Sequence, residues 1–268
     1  MQVIFETRFS FYGSSGWRSP ASSDPSILFD PERLERRFGL FERITLPSLA
    51  AQTDTDFRLV VLTSSLMPPS FRRRLVELTH DTLGSDCVTG LAKRPRSAGW
   101  IFQQHIAREF ASEERVAQVV LDDDDAVSAD FVGICRAEAL APLPAPDASI
   151  FLSFPEGCSL VFAEGGRQWL APRHTPYTNL GLTLVAPPAT RLHPFLTSHR
   201  RIGERHPSRL IERGRPFYLR SVHDDNDSRA MHGKTPIEGA ELARVLGYFP
   251  FLANDLAFRG QLGANVAE

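Results

Sequence analysis

Hydrophobic and polar positions alternate between two rhythms along the first half of the chain. Val3–Phe5 begins a short apolar strand, and the Ser- and Pro-rich residues 14–25 read as a loop. Asp30-Pro31-Glu32 is a helix start: a capping carboxylate, a ring that needs no N–H partner, and an acid in the first turn. Leu34, Phe38, Phe41, Ile44 and Leu49 then recur at roughly helical spacing. Phe57–Thr63 is a mostly apolar run with two adjacent valines, as a buried parallel strand requires. Pro69–Leu78 predicts a helix, Cys87–Leu91 a weak strand, Gly99–Ala111 a helix and Val116–Leu121 a central strand. Strand and helix in alternation predict an α/β fold with a mostly parallel central sheet flanked by helices.

A helix over Ser128–Leu140 leads into the Pro-rich stretch 142–146, the best internal boundary. It divides a single domain, 1–268, into halves at 1–141 and 147–268. Ser149–Phe154, Ser159–Phe162, Leu180–Val185 and Phe217–Val222 read as strands, with Gly165-Gly166 as a turn. Residues 191–215 read as helix and loop, Ile237–Leu246 as helix, and 253–268 carries little pattern.

With 42% hydrophobic and 23% charged residues, the balance is that of a folded globular chain. A net charge of −2 gives no argument for nucleic acid or an anionic membrane as partner. Three cysteines at wide spacing, with no CxxC, point to reduced thiols and a cytoplasmic home. The start lacks the pattern of a signal peptide, and no apolar run approaches the ~20 residues of a transmembrane segment. Peripheral contact with the inner membrane face stays compatible with this.

Charge is unevenly distributed. Asp122-Asp123-Asp124-Asp125 follows the apolar Val119-Val120-Leu121 directly. In open α/β sheets, ligands bind beyond the carboxyl ends of the strands, where this run falls. Four adjacent carboxylates repel one another, and Mg²⁺ or Mn²⁺ is a natural partner. Were the strand to continue, Asp122 and Asp124 would share one face and Asp123 and Asp125 the other. One pair would bind metal and the other contact ribose or anchor the loop. A solvated acidic turn is the plain alternative. An Asp-x-Asp pair can hold metal on the diphosphate of a sugar donor. Asp123-x-Asp125-x-Val127 also fits the nucleophile pattern of a haloacid-dehalogenase-type phosphohydrolase, although that motif usually follows the first strand. A calcium EF-hand is excluded by Ala126 and Val127.

His223-Asp224-Asp225-Asn226-Asp227 follows another strand. His223 is a candidate metal ligand beside Asp122, Asp124 and Asp125. Asp224 and Asp225 are candidate general bases, against the alternative of an Asx-rich turn. Arg8, just past the first strand, is a candidate nucleotide-binding residue. Arg94, with Arg96, Ser97 and Gly99, precedes a helix whose N–H groups suit phosphate. The basic run His199, Arg200, Arg201, Arg205, His206, Arg209, Arg213 and Arg215 reads as a solvated face more readily than as a diphosphate clamp. Trp100 and Trp169 read as core sooner than as stacking platforms.

The stretch from Phe29-Asp30-Pro31-Glu32-Arg33-Leu34 through Arg37-Phe38, Phe41-Glu42, Leu46-Pro47-Ser48-Leu49 and Gln52-Thr53 to Asp56-Phe57 resembles a bacterial family of rhamnosyltransferases. Arg8-Phe9, Leu121-Asp122-Asp123-Asp124-Asp125-Ala126 and His223-Asp224-Asp225-Asn226 carry the same likeness. The resemblance implies a GT-A fold, with a nucleotide-sugar-binding half followed by an acceptor-binding half. It implies a metal-bound nucleoside diphosphate at Asp122 and Asp124, with Asp123 or Asp125 supporting ribose or metal. It also implies dTDP-rhamnose as donor and a glycan or lipid-linked acceptor. The Glu-Asp pair that many inverting GT-A enzymes use as base is missing here, so Asp224, Asp225 and Glu204 share that candidacy. The rivals are the phosphohydrolase, with Asp123 as nucleophile, and a non-catalytic carbohydrate- or nucleotide-binding domain. Residues 13–25 are the candidate lid.

Overall fold

In the computed structural model, residues 1–14, 20–142, 148–163, 166–223 and 235–254 are described. The expected strands of the first half are β1 (Gln2–Arg8), β2 (Phe57–Ser64), β3 (Val88–Lys93) and β4 (Val116–Val120). They lie parallel in the order β4-β1-β2-β3. β1, β2 and β4 are buried along almost their whole length, which is why they read as apolar runs rather than alternating ones. β3 buries only Val88 and Leu91, as an edge strand does.

Beyond a two-residue strand, β5 (Ala126–Val127), the second half adds β6 (Ile150–Ser153), β7 (Glu156–Phe162), β8 (Gln168–His174), β9 (Thr183–Ala186), β10 (Ser208–Leu210) and β11 (Tyr218–Val222). β9 runs antiparallel between β4 and β6, and β10 closes the far edge, making one seven-stranded sheet, β10-β6-β9-β4-β1-β2-β3. The two halves on either side of the Pro-rich stretch, of which 143–147 lie outside the described residues, therefore share one sheet. β5, β11, β7 and β8 form a second, four-stranded sheet. Three strands go beyond the sequence expectation. β5 and β10 are too short to carry a pattern, and β8 contains Pro172, which an edge strand tolerates. Of the expected Gly165-Gly166 turn, Gly166 is described and has φ +76°.

The helices are α1 (Pro25–Leu28), α2 (Pro31–Leu40), α3 (Leu46–Ala50), α4 (Pro69–Leu83), α5 (Ala98–Glu109), α6 (Phe131–Leu140), α7 (Ile202–Arg205) and α8 (Gly239–Leu246). Asp30 caps α2 by accepting the Arg33 N–H at 3.0 Å. The apolar spacing from Leu34 to Leu49 is realised as α2, a π-helical turn at Phe41–Thr45, and α3. Pro47 supplies the reason. It has no N–H to give and its ring excludes the preceding turn's carbonyl, so the hydrogen bonds reset. The Leu46 N–H reaches back five residues to the Phe41 carbonyl.

The main core lies against one face of the large sheet, where Phe9 packs on Phe38 and Phe41 at 4.6 and 5.3 Å, and Phe131 on Phe154 at 4.7 Å. A second cluster, including Leu160, Leu170, Leu219, Leu242 and Val245, fixes α8 to the small sheet. Among the described residues, no helix is long and apolar enough to cross a membrane.

Two outcomes test this packing. Burial pushes the Cys135 and Cys158 thiols up to about 12; it raises the half-buried Cys87 as well, against the pull of Arg58, but only Cys87 is open to a reagent. The thiolate is the reactive form. One thiol should therefore react with a disulfide reagent at pH 8 in the native protein, and all three in urea; fast labelling of all three without denaturant would contradict the core. In the small sheet, a Cβ on Gly157 would lie 2.5 Å from the buried Tyr218 ring. Gly157→Ala should cost about 1–3 kcal/mol by urea unfolding, and an unchanged midpoint would refute that contact.

Candidate active site

The acidic run does not continue the strand. β4 stops at Val120, and the chain turns with the Asp125 N–H on the Asp122 carbonyl at 3.3 Å before entering β5. The four aspartates thus form the corner where the chain leaves the large sheet for the small one. The condition for two alternating pairs is not met, and each carboxylate has its own surroundings.

Asp122 is the most open, with a quarter of its side chain exposed, and accepts from Arg8 Nη2 at 2.6 Å. Arg8 is 2% exposed at the end of β1, and its guanidinium lies 4.3 Å from the centre of the Phe195 ring. Just beyond it, Ser10 takes φ +43°, a region a non-glycine residue seldom occupies, as the chain turns between Phe9 and Phe11.

Asp123 is fully buried and has both oxygens on Arg37 of α2: Oδ1 accepts from Nη2, and Oδ2 from Nε at 3.3 Å. Burial pushes its carboxyl up to about 6 against the pull of Arg37. A phosphohydrolase needs this side chain as a free nucleophile, and it is committed to a buried bidentate pair.

Asp124 Oδ2 accepts from Arg37 Nη1 at 3.0 Å and meets His223 Nε2 at 2.9 Å. Burial works to raise this carboxyl, but Arg37 and His223 outweigh it and hold it well below the usual carboxylate range. Opposite an ionised carboxylate, Nε2 is the nitrogen that carries the proton. Asp125 is buried, and its Oδ1 accepts the Ser221 N–H of β11 at 2.8 Å, prolonging the β5–β11 ladder by a side chain. Burial and the Asp124 charge push it well above the ordinary carboxylate range.

The structure therefore brings Arg8, Asp122, Asp123, Asp124, Asp125 and His223 together at the carboxyl ends of β1, β4 and β11. Among the described residues, no group of three or more His, Cys, Asp or Glu side chains is arranged to hold a metal ion. At this corner the Asp124–His223 pair offers one carboxylate oxygen and one imidazole nitrogen, a mixed donor set that Mn²⁺ takes more readily than Mg²⁺, which prefers oxygen. Asp224 and Asp225 lie outside the described residues. Arg94 is exposed just past β3, two strands from β1 and three from β4. Glu204 lies on α7, before the opposite edge strand β10, exposed and 3.6 Å from Arg201.

The basic run is largely structural. Arg209 and Arg213 pair with Glu138 at 3.2 and 3.0 Å, and Arg215 pairs with Asp130 at 2.7 Å. His199 donates through Nδ1 to the Tyr177 carbonyl at 2.7 Å. Trp169 is half-buried and Trp100 is exposed. In the loop 13–25, residues 15–19 lie outside the described residues, and Ser14 donates its N–H to the Arg96 carbonyl at 3.0 Å.

Two site residues, Arg37 and Arg220, were not identified from sequence as functional. Arg220, on β11, acts on Asp124 and Asp125 through its charge. The signal for Arg37 is its position: with Arg33, it falls beside Leu34 and Phe38 on the core-facing side of α2, where a charged residue implies a buried partner.

A family model described as "Putative rhamnosyl transferase" matches residues 2–235. A search of curated protein sequences gives no match. Among solved structures, the chain is similar to S. aureus TarS at 13% identity and a TM-score of 0.43, over 83% of this chain and 37% of that one. It is also similar to TarS 1–349 in complex with UDP, at 13% identity and a TM-score of 0.45, over 97% of this chain and 68% of that one. The glycosyltransferase GlyE of Streptococcus pneumoniae TIGR4 aligns at 8% identity and a TM-score of 0.40, over 99% of this chain and 64% of that one. The chain spans well under half the length of the full TarS chain.

Breaking the buried pair should be costly. Arg37→Ala leaves Asp123 buried without its cation and should lose about 3–5 kcal/mol in urea unfolding. Arg37→Lys keeps the charge without the planar fork and should lose less. A change below about 1 kcal/mol for the alanine variant would show that the pair does not hold the corner.

Proposed function

The chain belongs to the rhamnosyl transferase family whose model it matches over residues 2–235, and we propose that it moves a sugar from a nucleoside diphosphate donor to a glycan or lipid-linked acceptor. Rhamnose, carried as dTDP-rhamnose, is the sugar the family description favours. The observation that carries this reading is the corner at Asp122–Asp125. It lies at the carboxyl ends of parallel strands, and Arg8 and His223 converge on it. Such strand ends are where open α/β sheets take their ligands. The TarS fragment in complex with UDP is in keeping with this donor class.

In this reading Asp124 and His223 hold Mg²⁺ or Mn²⁺, with Asp122 beside them. Asp124 is kept ionised by Arg37, as a ligand carboxylate must be. A cation bound to both side chains would take the place of the proton they share. When bound, the cation neutralises the leaving diphosphate. Arg8 orients Asp122 toward the donor. Asp125 ties the corner to β11 through Ser221, and Asp123 anchors it to α2, so neither is needed as a ligand. Asp224 or Asp225, directly after His223, is the base that accepts the acceptor hydroxyl proton.

Thermal unfolding with a panel of nucleoside diphosphates and nucleotide sugars, with and without Mn²⁺, tests the proposal. One nucleotide should raise stability by about 2.7 kcal/mol at roughly a hundredfold excess over Kd. The gain should need the metal and disappear in Asp124→Asn and in His223→Ala. A response to Mg²⁺ with a phosphate mimic, and to no nucleotide, would sink the transferase.

A further inference from the structure

Glu6 and Arg8 stand two residues apart on β1 and so leave the same face of the large sheet. Ile4 leaves it too, and packs with Ile101, Phe102 and Ile106 of α5. Across this face lies the turn 193–196, which meets the strand at two points of the same spacing. His193 Nε2 is 3.1 Å from Glu6 Oε1, with both side chains fully buried, and the Phe195 ring centre is 4.3 Å from the Arg8 guanidinium. Arg8 in turn donates to Asp122.

The turn has little freedom of its own. Pro194 fixes one φ, His193 Nδ1 accepts the Phe195 N–H at 3.2 Å, and the Leu196 N–H donates to the His193 carbonyl at 3.0 Å. α5 seats it as well. The Phe102 ring centre is 5.9 Å from that of His193 and 5.5 Å from that of Phe195, near enough to parallel to stack on both. A Cβ on Gly99 would come within 2.7 Å of Leu196 Cγ, so the helix start and the turn are in close contact. A buried hydrogen-bonded pair is a costly way merely to hold a loop, since apolar side chains of similar volume do so without the desolvation. What Glu6 and His193 add is direction. One hydrogen bond on each imidazole nitrogen fixes the plane of the ring, and the place of Phe195 follows from it.

We propose that His193 and Phe195 are positioning residues of the donor site, acting on it through Arg8. The inference rests on the reading of the corner as that site. Phe195 covers the Arg8 guanidinium, which strengthens its pull on Asp122 and limits the ways it can turn. Glu6 and His193 hold Phe195 there. Asp122, the most open of the four aspartates, is then presented to the donor at one angle rather than several, and the donor meets a site already in place.

Calorimetric titration of the full chain with UDP and dTDP in Mn²⁺ tests it. Phe195→Leu keeps the half-buried turn apolar and should weaken the tighter nucleotide roughly fivefold or more, the order of one desolvated cation–π contact. Arg8→Ala should weaken it at least as much, and the two changes together no more than Arg8→Ala alone, because Phe195 acts through Arg8. Losses that multiply in the double variant, or an unchanged affinity in Phe195→Leu, would overturn the proposal. A second arm needs no nucleotide. In ¹H–¹⁵N spectra of the free chain, the Arg8 guanidinium signals, identified by their absence from Arg8→Lys, should be displaced to high field by the Phe195 ring. His193→Gln keeps a donor for Glu6 but loses the acceptor for the Phe195 N–H, and should bring them back toward ordinary positions. Signals that stay in place would overturn the relay whatever the corner binds. If the native chain takes neither nucleotide while the signals move, the donor reading falls and the link from His193 to Arg8 stands.

Discussion

The corner between the two sheets depends on one guanidinium. Arg37 reaches from α2 to both oxygens of Asp123 and to Asp124, with all three side chains almost wholly removed from water. A lone carboxylate there would be costly, and so would a lone guanidinium; together, with each oxygen of Asp123 hydrogen-bonded, they are tolerable. The pair also has a direction. A planar fork meets a carboxylate in few orientations, so α2 cannot rotate without losing it. The helix is held to that rotation from behind by Phe38 on Phe9, and the π turn before Pro47 lets the chain continue into α3. Position and chemistry of the corner are thus set by the same few contacts.

A second chain of contacts runs beneath Arg8. Glu6, in the middle of β1, pairs with His193, 187 residues away, at 3.1 Å, with both side chains fully buried. His193 Nδ1 accepts the Phe195 N–H at 3.2 Å, so Nε2 carries the proton and donates to Glu6. This fixes the short helical turn Pro194–Leu196 and lays Phe195 over Arg8. Arg8 in turn directs Asp122. A residue from the second half of the chain therefore sets the orientation of a site built on the first strand.

Much of the sheet was legible because burial on both faces leaves a plain mark: Phe57–Thr63 and Val116–Leu121 are apolar almost throughout and became β2 and β4. The start of α2 was legible from Asp30 and Pro31, since capping is local chemistry. β5 and β10 were not, because strands of two and three residues exist only through their partners. The site was legible in its parts but not in its pairings. Asp122–Asp125 and His223 could be named from their places after strands. That Asp123 would face Arg37 and Asp125 would face Ser221 could not, since these contacts join residues 86 and 96 positions apart.

The mutual repulsion of four adjacent aspartates after a buried strand needs an answer, and a divalent cation is one. The fold gives that answer with protein charges. Arg8 faces Asp122, Arg37 faces Asp123 and Asp124, and Arg220 acts on Asp124 and Asp125. Repulsion within the run is therefore not an argument for metal. What favours the proposed metal is local chemistry: one ionised carboxylate and one imidazole, from the ends of different strands, meet beside the most open of the four aspartates. A corner already balanced by arginines keeps its shape without a cation. In the proposed reaction a cation would answer the charge that a diphosphate brings rather than that of the aspartates, and so its binding and that of the donor should be coupled.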